Sequence, residues 1–534
     1  MKFIYKTLFL LLSIALISSC ARTGRPDGGP KDELAPLFVI SNPPYKSINF
    51  SDKEVKLEFN ELIKLKNLNK QLVVSPPLKN PLLVTPQGTA SKSLKIEILD
   101  TLVTNTTYIF NFGNAIEDNN ESNKLEGFKY IFSTGTYIDS LKNSGFVSNA
   151  FTNKHSKKTN ILLYRIDSTF TDSIIYKQKP NYVTTALDTA KFNFTNLKKG
   201  KYLLLALEEN SSDYIFNTKN DKIGFYSDTI SLPKDSVTIK PIRLFKEIQP
   251  YSFRRAKEVF KGKIQFGYEG QIKDLKVKLL SKVSDSFKSI SRFEIDKDTL
   301  NYWHTPIEVD SLNFIVSNAA FLDTVTVRFR KNKIDSLNLQ PSTMGTLHLR
   351  DTFFIKSNNP IVKIDTSKIV FIDKDTIRVK YSNYISKKEN KIGFIFKKNQ
   401  KERYQLKALP GSYIDIYDVK NDTLNYNFKT IELEDYGKIT IRILNKDSKN
   451  LIIDLLSGKE NDKIIERRYI AASETLVFNL LEPNTYKVRA IIDDNNNKKW
   501  DTGNYLLKIQ PERVIYFEEE LKVRANYFLE GNIF

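Results

Sequence analysis

The chain has 534 residues, a formal net charge of +20, 12% aromatic residues and one cysteine. A single cysteine excludes an intramolecular disulfide and a multi-thiolate metal site. The positive charge is carried by lysines that alternate with Asp and Glu and form no dense basic block, which argues against nucleic acid as a partner.

Lys2 and Lys6 precede an apolar run from Leu8 to Ile17, shorter than the roughly 20 residues a membrane span needs, so residues 1–19 read as a secretory signal peptide. The run ends Leu16-Ile17-Ser18-Ser19-Cys20, which resembles the bacterial lipobox. That resemblance implies removal of residues 1–19, lipidation of Cys20 and attachment to a membrane through the lipid anchor. Ala21 stands where an Asp would resemble an inner-membrane retention signal, so the outer membrane is expected, with either leaflet open. Residues 20–35 are rich in Gly and Pro and read as an extended, flexible tether.

From 36 to 136 the hydrophobic period is two. Val55, Leu57 and Phe59 alternate with Lys56 and Glu58, and the pattern returns over Leu94 to Leu99, Tyr108 to Phe112 and Tyr130 to Phe132. The order Pro43-Pro44, Phe59-Asn60-Glu61, Asn105-Thr106-Thr107-Tyr108, Glu117-Asp118 and Phe132-Ser133-Thr134-Gly135 resembles the SbsA-type bacterial Ig-like domain. With Gly28-Gly29-Pro30-Lys31-Asp32 behind the lipobox, the whole is similar to a family of Bacteroidota lipoproteins carrying that domain.

Over 143–246, Phe192-Asn193-Phe194 leads through Asn196-Leu197-Lys198-Lys199-Gly200-Lys201-Tyr202 into Leu203 to Leu207. This resembles the transthyretin-like (carboxypeptidase regulatory-like) module, with Gly200 expected to give the turn its backbone freedom. Phe478, Tyr486 and Ala490 repeat the spacing of Phe194, Tyr202 and Ala206, so 437–534 is expected to be a second copy. Between the two copies, 250–350 reads as a β domain of no named type, and 351–436 as a candidate second Ig-like unit. The fold class expected is all-β: tandem β-sandwiches, Ig-like and transthyretin-like, behind a lipidated flexible tether.

Chemistry is sparse. His155, His304 and His348 fall in no metal-ligand or catalytic spacing, and no nucleophile elbow, P-loop or dinucleotide fingerprint occurs; no enzyme activity and no cofactor are expected. One loop stands out. Asp493, Asn495, Asn497 and Asp501 reproduce the 1, 3, 5, 9 spacing of calcium loops. Lys498 replaces the usual glycine, however, and no Glu stands at the twelfth position, Asn504. The expectation is a polar loop closed by Asx turns over Trp500, with Ca2+ as the alternative. Glu208 to Asp213 is a weaker analogue. Trp303 and Trp500 would be the stacking platforms of a glycan binder, whereas alternation places most Phe and Tyr in cores. The function expected is a non-catalytic adhesive or scaffolding protein with an envelope protein partner, a β-barrel or a translocon. The alternatives are an accessory subunit of an outer-membrane-protein assembly or secretion machine and a cell-surface glycan binder. Oligomeric state stays open.

Overall fold

The computed structural model describes residues 31–534 apart from 238–239, 295–296, 331, 459–462, 518, 527 and 534. The predicted signal peptide, Cys20 and most of the tether lie outside the described residues. Strand makes up 49% of the described residues and helix 3%, which settles the all-β class. Among the described residues no helix is long and apolar enough to cross a membrane. The chain divides into two compact units, the first built mainly from residues up to 141 and the second from most of the remainder.

The first unit is one sandwich. Phe38–Asn42, Glu54–Leu65, Ser91–Glu97 and Leu83–Thr85 form one sheet in that order, with Ile116–Asp118 also on Glu54–Leu65. Val73–Ser75, Thr107–Gly113 and Phe128–Ser133 form the other. The period-two pattern explains the core. Val55, Leu57 and Phe59 are buried on one face, where they meet Phe110, Phe112 and Phe132 from the facing sheet. Tyr130 lies in the same core and donates its hydroxyl proton to Pro43 O at 2.8 Å, which satisfies the polar end of a buried ring.

The second unit holds four sandwiches. In the one over 143–246, Tyr182–Leu187, Lys158–Arg165, Gly200–Glu208 and Lys222–Phe225 form one sheet, with Ile230–Leu232 also on Gly200–Glu208; Lys191–Leu197, Leu141–Asn149 and Ile242–Leu244 form the other. The C-terminal sandwich repeats this order element for element. Lys463–Ile470, Leu451–Ser457, Asn484–Ile492 and Val514–Tyr516 make its larger sheet, with Leu521–Val523 also on Asn484–Ile492; Glu474–Leu481, Gly437–Ile443 and Phe528–Ile533 make the smaller. Each smaller sheet closes with a parallel pair of its first and last strands. Phe194, Tyr202 and Ala206 are buried in one copy, as Phe478, Tyr486 and Ala490 are in the other. Gly200 corrects one expectation: it is not left-handed, and the positive φ, +59°, falls instead on Asn196 near the end of strand Lys191–Leu197, which Asn tolerates through local hydrogen bonding.

The two middle sandwiches follow the same period-two rule. In the third, Ser252–Phe260, Lys263–Glu269, Thr299–His304 and Ser289–Phe293 face Lys276–Leu279, Ser311–Asn318 and Phe321–Arg328. In the fourth, Leu339–Pro341, Phe353–Ser357, Lys391–Phe396 and Tyr381–Ile385 face Ile369–Ile372, Arg403–Ala408 and Leu424–Lys429. Leu339–Pro341 pairs with Phe353–Ser357, so the segment up to 350, counted by sequence with 250–350, belongs to the fourth sandwich from about Leu337 onward. The sequence cue at Pro360 lay two strands too late.

His304 is buried in the third sandwich, with the rings of Phe287 and Phe329 stacked at 5.5 and 5.6 Å. Its Nδ1–H donates to Thr305 O at 2.9 Å, and burial holds its pKa below the ordinary imidazole value. A depressed folded-state pKa contributes stability that is complete above about pH 6.5 and is lost as pH falls through the lower folded value. His304→Phe is therefore expected to resist acidification from about pH 7.5 to about pH 5 better than the parent chain, measured as the shift in urea midpoint. An equal loss in both chains would show that His304 does not set the dependence.

Candidate functional site

The oxygen-rich loop begins where strand Asn484–Ile492 ends. Asp493 is buried; its Oδ1 accepts the Asn497 N–H at 3.0 Å and its Oδ2 accepts the Lys498 N–H at 2.8 Å. This is an Asx-type closure. Asn496 and Lys498 both lie in the left-handed region, at φ +57° and +64°. Lys498 thus takes the backbone conformation for which glycine is the default residue. Its ammonium group sits 5.5 Å from the centroid of the Tyr469 ring, a cation–π contact.

Of the four predicted side chains the structure brings three together, Asn495, Asn497 and Asp501, while the Asp493 carboxylate is taken up by the loop backbone. The side-chain amides of Asn495 and Asn497 both donate to Asp501 Oδ2. Asn495 Oδ1 accepts the Asn497 N–H at 3.1 Å, and Asn497 Oδ1 accepts the Lys499 N–H at 2.8 Å. Glu512, which the spacing argument missed, braces both ends: its two oxygens accept the Asp494 and Asp501 N–H groups, each at 2.9 Å. Burial, with Asp501 and Asp493 close by, holds the Glu512 carboxyl above the usual range. Trp500 packs on Phe151 with ring centroids 4.9 Å apart, and its indole N–H donates to Glu512 O at 3.1 Å. Among the described residues no group of three or more His, Cys, Asp and Glu is placed to hold a metal ion. The analogous segment after Gly200–Glu208 is closed in a similar way, Glu209 accepting the N–H groups of Asp213 and Tyr214.

Past Asp501 the chain clasps the 143–246 sandwich. Thr502 donates to Lys246 O at 2.8 Å, the Tyr505 N–H to Glu247 Oε1 at 2.7 Å, and Gln510 to Phe225 O at 2.9 Å. The fully buried Tyr505 ring meets Phe225 edge-on at 5.6 Å, and its hydroxyl reaches Asp172 at 3.2 Å. Gly503 is required by close approach: a Cβ there would stand 2.7 Å from both Ile509 O and the Phe245 ring. The joint is backed by Asp454, which has no exposed surface and pairs with Arg467 and Arg489. The Arg489 guanidinium in turn lies 4.3 Å over the Phe151 ring. A sequence signal for this pair existed: Asp454 inside Leu451–Ser457 and Arg489 inside Asn484–Ile492 are opposite charges in otherwise apolar buried strands, and the two are direct register partners.

The remaining predicted residues are scattered. His155 is exposed, and His348 pairs with Glu482 at 2.8 Å. Trp303 is 3% exposed and Trp500 half-buried, so neither is an open stacking platform.

The described residues form successive β-sandwiches, of which the first is Ig-like. Residues 32–134 match the family model of the bacterial Ig-like domain; the match classes that domain and leaves the other sandwiches unassigned. No curated protein matches the sequence. Among solved structures, domains 1–6 of the surface layer protein SbsC align over 92% of this chain and 68% of their own, at 10% identity and a TM-score of 0.17. The I9–I11 tandem of titin aligns over 53% of this chain and all of its own, at 8% identity and 0.12. Salmonella alpha-2-macroglobulin reacted with methylamine aligns over 88% and 44%, at 9% identity and 0.15. At such scores the superpositions carry no argument about arrangement or task.

Proposed function

We propose that this chain is a non-catalytic lipoprotein of the bacterial outer membrane that works as a scaffold or adhesive through protein contacts, held by lipid on Cys20. In this reading 143–246 and 437–534 are transthyretin-like modules, and the chain belongs with the Bacteroidota lipoproteins that carry an SbsA-type domain. One observation carries the proposal: the loop 493–512 has its side chains bonded to one another and to the neighbouring sandwich, as befits a rigid joint between display modules. Open sandwich edges then offer strand addition to a partner. The test is a mild-detergent pull-down of the lipidated, C-terminally tagged chain from its native membranes. A β-barrel or translocon subunit at near-equal stoichiometry is the expected result. Recovery of the chain alone would remove the scaffold reading.

A second reading of the same loop is a calcium site. It is favoured by the convergence of Asn495, Asn497 and Asp501 and by the left-handed Lys498. Turning either side-chain amide by half a revolution would present oxygen where nitrogen now donates. On this reading the melting temperature rises by several degrees with added Ca2+, and Asp501→Ala abolishes the rise. A melting curve indifferent to both Ca2+ and chelator leaves the loop as a joint alone.

A further inference from the structure

Beyond that scaffold role, the two middle sandwiches share a basic cleft. In strand Lys263–Glu269, Ile264, Phe266 and Tyr268 are buried, so Lys263 and Gln265 turn to the opposite face. Their register partners Trp303 and Asn301 share that face, as do Ile290 and Arg292 one strand further on. In the fourth sandwich Phe353 and Ile355 are core, which turns Phe354 and Lys356 outward, and the hairpin before strand Lys391–Phe396 adds Lys388. These two outer faces line a cleft of about 570 Å³, within the size range of small-ligand sites.

The charges in the cleft do not balance. Its six cations face two lining carboxylates, Glu294 and Glu389, each already paired, with Lys297 and Lys391 respectively, and a third, Asp335, stands behind Asn358 near Lys263. Among the described residues no carboxylate lies within 4.0 Å of Lys263, Arg292, Lys356 or Lys388. Arg292 is held in place by neutral acceptors, Glu389 O at 2.9 Å and the Asn390 side chain, which aims a guanidinium without neutralising it. Burial lowers the pKa of both Lys263 and Arg292. The Trp303 indole N–H, buried in the wall, has no acceptor. Cations crowded into a half-buried site repel one another and have lost part of their hydration, so an anion entering it offsets both costs. Two further features narrow the anion. Gln265 and Asn301 place side-chain amides around the cleft, each with one N–H engaged internally and a second left to donate. Phe293, 44% exposed at the end of its strand, borders both this cleft and an adjoining one of about 410 Å³ that adds Lys387. Amides suit hydroxyl groups, and an exposed ring suits the C–H face of a sugar.

We propose that this cleft binds an acidic saccharide, its charged groups meeting Lys263, Arg292, Lys356 and Lys388 and a sugar face lying on Phe293. The experiment is titration calorimetry on the full chain with trigalacturonate, its fully methyl-esterified form, a sulfated heparin tetrasaccharide and inorganic phosphate. Saturable binding of one of the acidic oligosaccharides is expected, weakening as salt is raised, with at least tenfold weaker binding of the neutral ester and of phosphate. The variant Lys263→Gln with Arg292→Gln should lose at least tenfold in affinity. Lys356→Gln with Lys388→Gln, at exposed positions where folding is unaffected, should lose a comparable amount, while Lys407→Gln on another exposed face loses none. No saturable binding of either acidic oligosaccharide overturns the proposal. So does equal binding of acid and ester, phosphate binding as tightly as the sugar, or affinity unchanged in both double variants.

Discussion

Asp454→Ala is expected to lower the stability of the second unit by about 3–5 kcal/mol, the cost of breaking a buried ion pair from one side. Asp454 has no exposed surface and accepts two bonds from each of two arginines: from Arg467 at 2.6 and 2.9 Å, from Arg489 at 3.1 and 2.6 Å. Arg467 is 29% exposed and can turn to water once the carboxylate is gone, but Arg489, at 4%, cannot. Its charge would be left with the Phe151 face and the Tyr516 hydroxyl at 3.3 Å, and a cation–π contact contributes only about 0.5–2 kcal/mol. The stranded arginine therefore dominates the loss. Pairing the change with Arg489→Met should recover most of it, because the pair's own desolvation cost disappears with the pair. Urea unfolding followed by tryptophan fluorescence in a Trp303→Phe background, where Trp500 packed on the same Phe151 is the reporter, reads both effects. A loss below about 1 kcal/mol for Asp454→Ala would mean that solvent reaches Arg489 and that the pair is not the keystone of the joint.

That keystone shows what a linear sequence discloses. Strand alternation is local, so Val55-Lys56-Leu57-Glu58-Phe59 reveals its own core face without knowledge of any partner, and the all-β class follows from many such stretches. The shared strand order of the two sandwiches left a trace of the same kind: Phe194, Tyr202 and Ala206 recur at a fixed offset as Phe478, Tyr486 and Ala490, and both triads are buried. The loop 493–501 stood out through spacing within nine positions, and three of its four side chains, Asn495, Asn497 and Asp501, meet. What escaped was non-local. Glu512 closes that loop from eleven residues beyond Asp501, and Tyr505 is buried by Phe225 and Asp172, hundreds of positions earlier. The basic cleft escaped for a further reason. Lys263 and Lys356 look like ordinary solvated lysines on alternating strands, and only the facing of two outer sheet surfaces distinguishes them from the many others. The start of the fourth sandwich was misplaced because Leu339–Pro341 is three residues long, too short for a period to be read.

The second large effect is expected at Tyr505. Its ring is fully buried, not within a sandwich core but between the C-terminal loop and the 143–246 sandwich. Truncating a buried aromatic leaves a cavity and costs about 3–5 kcal/mol. Tyr505→Ala removes in addition the hydroxyl bond to Asp172 and the ring beneath the Lys508 ammonium group, 4.0 Å away. The Tyr505 N–H bond to Glu247 survives in principle, since alanine keeps the donor, but nothing then holds the backbone at that distance. Because the damage falls on the joint, each sandwich keeps its own core, and the loss should appear as uncoupling. Thermal unfolding of the second unit is expected to broaden or split, and proteolytic cleavage within 500–511 to accelerate. Leu507→Ala is the control within the same loop: Leu507 is 69% exposed, and a surface change of that kind stays within about 0.5 kcal/mol. If Tyr505→Ala melts as one sharp transition at a lower temperature, the two repeated sandwiches unfold as one cooperative body and the joint is part of its core. If it matches Leu507→Ala in both melting and cleavage, the clasp does not hold the modules together, and the proposal of a rigid display scaffold loses its structural basis.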